Sequence, residues 1–451
     1  MHLVPRRRAL LWLALAGIAP ADTIEGLVRP AAHRGAAAAS FLAARPVPAA
    51  SASAFLDSIG VNTHVDQGYD AGSYVEPLRY TGIRQVRDGE RHVRGDLLIH
   101  QKTGAHFTIN GAGDLDGLLT AARTLAAAGA LLAVEGPNEP NNFPITYRGE
   151  RGGGRDGSWL PVAGFQRDLY AAVAADPVLR HYPVFAPSET GAETDNVGLQ
   201  FLTIPPGAAT LFPAGTRFAD FANVHNYVIG NGGWYGDNQA WNAADPVLNA
   251  RWDGLYGNNG VTWHRHYQGY ATRNLPALRR VTTETGWDTA SDPGGEHVQG
   301  VVLTNTYLAQ FKRGWSYTFV YEMRDGEGGA GAQGLYRGTT PKLAATYLHN
   351  LTTLLADRGG KHAPASLAYA IPDQPATVHD LLLHKSTGQF ELVVWGERVR
   401  GGDIVTIDLG APRETVRVYD IVAGTMPMRS LRRVASVQLA LTDHAMVVEI
   451  E

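Results

Sequence analysis

Apolar and polar residues follow two different rhythms along this chain, and the change near residue 365 divides it. From residue 55 a short apolar run gives way to a polar loop and then to a longer stretch with helical spacing. The runs predict strands at Ile59–Val65, Gln85–Arg87, His106–Asn110, Leu131–Val134, Val184–Ser188, Phe221–Tyr227, Val281–Glu284 and Tyr317–Tyr321. Helices are predicted near 73–81, over Leu115–Ala128, Val162–Ala175, Trp263–Arg273 and 296–313, and at about Pro341–Leu355. Gly129 is placed to cap the second of these, and Asp176-Pro177 stops the third. Eight strands alternating with helices imply parallel crossovers. Their count, over roughly 300 residues, favours a closed (β/α)8 TIM barrel over an open sheet.

Past residue 365 the strands follow one another without helices. They are Leu381–His384, Phe390–Trp395, Asp403–Leu409, Thr415–Tyr419 and Ala445–Ile450, parted by turn signals at Ser386-Thr387-Gly388 and Gly401-Gly402. This rhythm predicts a small antiparallel β-sandwich over 361–451, behind a barrel at 55–360. Residues 22–54, rich in Ala with Pro30, Pro46 and Pro48, read as an arm or linker. Residues 1–21 read as a secretory signal peptide. Arg6-Arg7-Arg8 precede an apolar run from Ala9 to Ala19 that is too short for a bilayer, and Ala19-Pro20-Ala21 fits a cleavage site. A secreted or periplasmic location follows as an expectation, and no later run is long enough to give the mature chain a membrane span.

Composition narrows the picture modestly. Of 451 residues 44% are hydrophobic and 18% charged, an ordinary globular balance. The net charge of −4 gives no sign of a nucleic-acid partner. There is no cysteine, which excludes disulfides, thiolate zinc sites and a cysteine nucleophile. Nine Trp and eighteen Tyr matter more, because many lie in Gly- and Asn-rich loops where flat rings can stack on sugars. Trp234 is the candidate of this kind in the long loop from Gly230 to about Gly260.

The candidate chemistry sits where the barrel strands end. Leu131–Val134 runs into Glu135-Gly136-Pro137-Asn138-Glu139-Pro140, which places Glu139 just past a buried strand. Pro140 biases Glu139 away from the helical region, and an extended backbone is the expectation. A second β-branched strand ends in Glu284, followed by Gly286 and Trp287. Two strand-end carboxylates are what glycosidic bond cleavage needs: one protonated to assist the leaving oxygen, one ionised to attack or to activate water. His64, Arg87, Asn110, Asn138, His225, Tyr227, Trp287 and Tyr321 also fall at or just past strand ends, where barrel chemistry is built.

In this order and spacing, Asn138-Glu139-Pro140, His225-x-Tyr227 and Glu284 resemble clan A of the glycoside hydrolases, the retaining (β/α)8 enzymes that include family 39 and family 5-like members. The resemblance covers roughly residues 55–355 and implies a carbohydrate substrate, double displacement and no cofactor or metal. It implies Glu139 as general acid/base, Glu284 as nucleophile and Asn138 as partner of the sugar 2-hydroxyl. Tyr227 and Arg87 would hold Glu284, and His225 would lie near Glu139. Two departures stand out. Asn110 ends strand 3 where many relatives have His, and Tyr321-Glu322 ends strand 8 where many have Trp. Glu322 is a third carboxylate, with Arg324 or another Arg at the mouth as its expected partner. Trp287 could floor a sugar subsite or pack in the core. Two competing readings are a non-catalytic carbohydrate-binding or polysaccharide-assembly protein and a metal-dependent hydrolase using His64, Asp66 and His225. The second lacks the paired histidines expected after strand 1.

Overall fold

The computed structural model describes residues 44–451, apart from 112, 155–156, 189–197, 209, 230–238, 241–278, 291–294, 330, 358, 360–361 and 399. The expected signal segment, residues 22–43 of the arm, Trp234 and the helix expected at 263–273 lie outside the described residues.

Eight parallel strands form the central sheet: β1 Ile59–Asn62, β2 Gln85–Gly89, β3 His106–Asn110, β4 Leu131–Glu135, β5 Val184–Phe185, β6 Ala222–His225, β7 Arg280–Thr285 and β8 Trp315–Val320. Their hydrogen-bonded order is β6-β7-β8-β1-β2-β3-β4-β5. The remaining seam is closed by a parallel bridge between Phe185 and Phe221, where the Ala186 N–H donates to the Phe221 carbonyl at 2.9 Å. The sheet is therefore a closed (β/α)8 barrel. The strands read as near-continuous apolar runs because helices cover the barrel outside and side chains fill it inside.

Besides a short helix at Ala52–Leu56, the α-helices among the described residues are α1 Val75–Thr81, α2 Val93–Thr103, α3 Leu115–Ala127, α4 Leu160–Ala175, α5 Gly295–Lys312 and α6 Leu343–Leu354. Helix α3 shows how sequence sets such an element. Asp114 caps it by accepting from the Gly117 N–H at 3.0 Å. Leu118, Leu119, Ala121, Ala122 and Leu125 form its buried stripe. Gly129 follows its last turn with φ +72°, a conformation glycine adopts without steric cost. Helix α2 was not expected from the sequence, because only Asp96 and Ile99 of its eleven residues are buried and its apolar stripe is thin.

Behind the barrel lie β9 Ser366–Tyr369, β10 Val378–His384, β11 Phe390–Gly396, β12 Asp403–Asp420, β13 Arg429–Leu441 and β14 Ala445–Ile450. Strands β10-β11-β14-β12-β13 run in that order through one antiparallel sheet. The two strands expected at 403–409 and 415–419 are one strand, β12, with a register shift between Asp408 and Arg413. Strand β13 went unpredicted. Alternation assigns each face of this sheet to a different core. Leu381, Leu383, Val393, Trp395 and Val447 pack into the core that covers the barrel. Leu382, Leu392, Val394, Met446 and Val448 pack into the second core, with Leu367 and Tyr369 of β9. Trp395 is fully buried, and covering so large a ring contributes roughly 2–3 kcal/mol. Polar clasps tie the sheet to α5 and α6: Asn305 donates to the Asp443 carbonyl at 2.9 Å, and Asn350 to that of Ile421 at 2.7 Å.

The arm needs a correction at its end. Arg45–Pro48 pairs antiparallel with β9, and Ala50–Ser51 pairs parallel with the end of β10. Pro46 and Pro48 are compatible with this because a two-stranded edge does not need every backbone N–H. Among the described residues no helix is long and apolar enough to cross a membrane.

Candidate active site

The site is built at the carboxyl ends of the barrel strands. Glu139 lies four residues past β4. Its backbone is not extended, as expected, but left-handed, with φ +37°. A tight turn forces this: the Glu139 carbonyl accepts from the N–H groups of Asn142 at 2.8 Å and Phe143 at 2.7 Å. Its own N–H donates to Ser188 Oγ at 3.1 Å. Pro140 disfavours the right-handed helical region, and the turn takes the left-handed alternative. Holding a non-glycine residue there costs about 1–3 kcal/mol, which the surrounding bonds must offset.

The Glu139 side chain meets two partners. Oε1 lies 2.7 Å from His225 Nδ1, and Oε2 accepts from Asn142 Nδ2 at 2.8 Å. Glu284, near the end of β7, is held differently. Arg87 Nη1 donates to its Oε1 at 2.7 Å, and the Tyr227 hydroxyl donates to its Oε2, also at 2.7 Å. His225 Nδ1 stands 3.5 Å from that second oxygen. One ligand atom from each of Glu139, His225 and Glu284 falls within 4.8 Å of the others. Among the described residues this is the one trio near enough to share a metal ion, but Arg87 and Tyr227 already meet the Glu284 charge.

Arg87 is the hub. Beyond Glu284 it donates through Nε and Nη2 to both oxygens of Glu135 at 2.8 Å, through Nη1 to Asn62 Oδ1 at 3.0 Å and through Nη2 to Asn138 Oδ1 at 2.8 Å. Burial opposes its charge, but the carboxylates of Glu135 and Glu284 outweigh that and raise its pKa further. Arg87 is permanently cationic. Burial, then the charges of Glu284 and Glu139, pushes the Tyr227 phenol well above its ordinary value, so Tyr227 remains a donor.

The other expected residues divide. His64 and Glu322 pair with each other, Nε2 to Oε2 at 3.0 Å. Arg324, the expected partner of Glu322, faces Glu327 instead at 3.6 Å. Burial pushes Glu322 up to about 7, against the bond from His64. The Tyr321 ring meets His64 edge-on at 5.3 Å and Tyr227 at 6.4 Å, which links this pair to the Glu284 side of the mouth. Asn110 donates to the Asp88 carbonyl at 3.1 Å and makes no described bond to either Glu139 or Glu284. Trp287 is 4% exposed and belongs to the apolar core, which is packing and not an open sugar platform.

The sequence reading passed over Glu135, Thr283 and Asn223. Glu135 is fully buried, it accepts from Arg87 and Asn223, and its Oε1 lies 3.0 Å from Thr283 Oγ1. One rule could have found it. A charge inside an apolar strand must be paired, and Arg87 is a cation in the same situation two strands away.

No family model matches the sequence, and no curated protein does. The fold, a (β/α)8 barrel followed by an antiparallel β-sheet region, is shared with solved glycoside hydrolases. Three of the similar solved structures illustrate the likeness. A family 39 glycoside hydrolase from Bacteroides cellulosilyticus WH2 is 15% identical, with a TM-score of 0.53 over 88% of this chain and 81% of that one. The family 30 subfamily 8 xylanase Xyn30A of Clostridium acetobutylicum is 11% identical, with a TM-score of 0.53 over 90% and 97%. The family 51 arabinofuranosidase of Xanthomonas axonopodis pv. citri is 12% identical, with a TM-score of 0.54 over 90% and 98%. At these identities the likeness is one of fold.

Proposed function

We propose that this chain is a secreted retaining glycoside hydrolase that cleaves β-linked bonds of a poly- or oligosaccharide by double displacement. The observation that carries the reading is the meeting of Glu139 and Glu284 within 4.8 Å, with His225 against both. Retaining enzymes hold their carboxyl groups about 5–5.5 Å apart, whereas inverting enzymes leave about 6.5–9.5 Å for a water.

Glu284 is the nucleophile. Arg87 and Tyr227 hold its two oxygens and aim it at the anomeric carbon. Glu139 protonates the departing oxygen, then takes a proton from the water that releases the sugar. Asn138 has its Oδ1 committed to Arg87, so its Nδ2 is the donor it would offer a sugar 2-hydroxyl. Tyr321 and His64 lie beside Glu284 and would receive the glycone, while Glu322, fully buried, holds His64 from behind. Export rests on the Arg6-Arg7-Arg8 and Ala9–Ala19 pattern. The names of two of the similar structures, a xylanase and an arabinofuranosidase, make xylans and arabinose-bearing polysaccharides the first substrates to try.

The test is the configuration of the first-formed sugar, read by proton NMR during hydrolysis of a polysaccharide panel. Retention is expected. Inversion, or binding without any product, would sink the reading.

A further inference from the structure

Thr283 Oγ1 lies between three groups: His225 Nε2 at 2.9 Å, Glu135 Oε1 at 3.0 Å and Asn223 Oδ1 at 3.0 Å. A hydroxyl has one hydrogen to give. The orientation of the Asn223 amide is fixed, because its Nδ2 donates to Glu135 Oε1 at 3.1 Å and to the Ala186 carbonyl at 3.2 Å. Its Oδ1 is therefore an acceptor, and so is the Glu135 carboxylate. Whichever of the two takes the Thr283 hydrogen, the Thr283 oxygen can only accept from His225. Nε2 of His225 must carry a hydrogen.

The consequence appears at the other ring nitrogen. With Nε2 protonated, Nδ1 of a neutral His225 is a bare lone pair, 2.7 Å from Glu139 Oε1. Two lone pairs do not close to that distance without a proton between them. The pair holds one, either as carboxylic acid against imidazole or as carboxylate against imidazolium. All the groups behind it are buried: Glu135, Thr283 and His225 are fully so, and Asn223 is 4% exposed.

We infer that Thr283, backed by Glu135 and Asn223, is a positioning residue that fixes the His225 tautomer and so keeps one proton shared between His225 and Glu139. The inference rests on the proposed glycosidase reading. In the first step the C1–O bond to the leaving group breaks, a C1–O bond to Glu284 forms, and the shared proton goes to the departing oxygen. Glu139 is then a carboxylate facing the bare Nδ1. The next water gives a proton back to that pair as its oxygen attacks C1 and frees Glu284.

The test compares Thr283→Val, which keeps the β-branched shape and removes the hydroxyl, with Thr283→Ser, which restores it. Each is assayed on phenyl and 2,4-dinitrophenyl β-xylobiosides and β-cellobiosides, reading kcat/KM, with thermal melts to confirm folding. Dinitrophenolate leaves without help and phenolate needs the proton. The Val variant should lose on the order of tenfold or more on the phenyl glycosides and little on the dinitrophenyl ones, with the Ser variant near the parent. Equal losses on both leaving groups, or a Ser variant as impaired as the Val variant, would overturn the inference and leave the glycosidase reading standing. A parent protein that cleaves neither these glycosides nor any polysaccharide overturns both.

Discussion

The two carboxylates at the barrel mouth stand within 4.8 Å of each other, yet their surroundings share almost nothing. Glu284 receives a buried guanidinium and a phenol that stays protonated. Glu139 receives an amide and an imidazole, neither a fixed cation. A fixed positive charge favours the ionised form of its neighbour, and an imidazole can pass a proton back and forth. In the proposed reading, chemically equivalent side chains are set to opposite tasks by what lies behind them.

The sharpest way to break this comparison is to remove each carboxylate in turn. Glu284→Gln should lose nearly all turnover on every substrate. Glu139→Gln should lose about 10²- to 10⁴-fold on unactivated substrates and far less on dinitrophenyl glycosides. Both should melt like the parent, and a Glu139 variant with full activity on polysaccharide would end the asymmetry.

Next in size is Arg87→Ala. It leaves Glu135 and Glu284 without their counter-charge in a site where Arg87 is 3% exposed. Breaking such a buried pair costs about 3–5 kcal/mol, to be read as a lower urea midpoint together with lost turnover. An unchanged midpoint would mean the hub is not structural.

Tyr227→Phe isolates the Glu284 side. The lost bond to a charged acceptor predicts a drop in kcat/KM of roughly 10- to 100-fold. The drop should be alike for phenyl and dinitrophenyl leaving groups, in contrast to Thr283→Val. A loss confined to poor leaving groups would contradict the division of labour.

The smallest effect concerns Glu322, a further buried carboxylate, which has His64 but no guanidinium. Burial raises its pKa from 4.5 to about 7. A raised value means the stability it contributes is full below about pH 4.5 and lost as pH rises through about 7. Glu322→Gln keeps an acceptor for His64 and removes that dependence. The variant should gain on the order of 2 kcal/mol over the parent between pH 4.5 and 8, measured by denaturation at several pH values. Parallel stability curves would contradict the assignment.

Much of this was legible in the chain itself. Apolar runs such as Phe107–Ile109 and Leu131–Val134 marked the strands, and Asp114 and Gly129 marked the ends of one helix. The triplet around Glu139, the His225-x-Tyr227 pair and Glu284 named both carboxylates and three of their neighbours. Helix α2 and strand β13 were missed, although Val437, Leu439 and Leu441 alternate with Ser436, Gln438 and Ala440 as an edge strand should. Pro140 correctly excluded the right-handed helical region at Glu139, but only the turn to Asn142 and Phe143 selected φ +37°.

The sequence by itself determined the rhythm of strand and helix, and with it the end of the barrel where chemistry is placed, because periodicity is local and each strand reports its own burial. Only the tertiary structure decided which groups meet. Arg87 and Glu284 are 197 residues apart, and Glu135 and Thr283 are 148 apart. Consecutive residues Thr283 and Glu284 both reach this cluster, which strict alternation forbids, where the β7–β8 register shifts between Thr282 and Thr285. Trp287 and Glu322, each at a strand end, went to the apolar core and to His64. Partners at such separations are chosen by barrel closure, which no local pattern records.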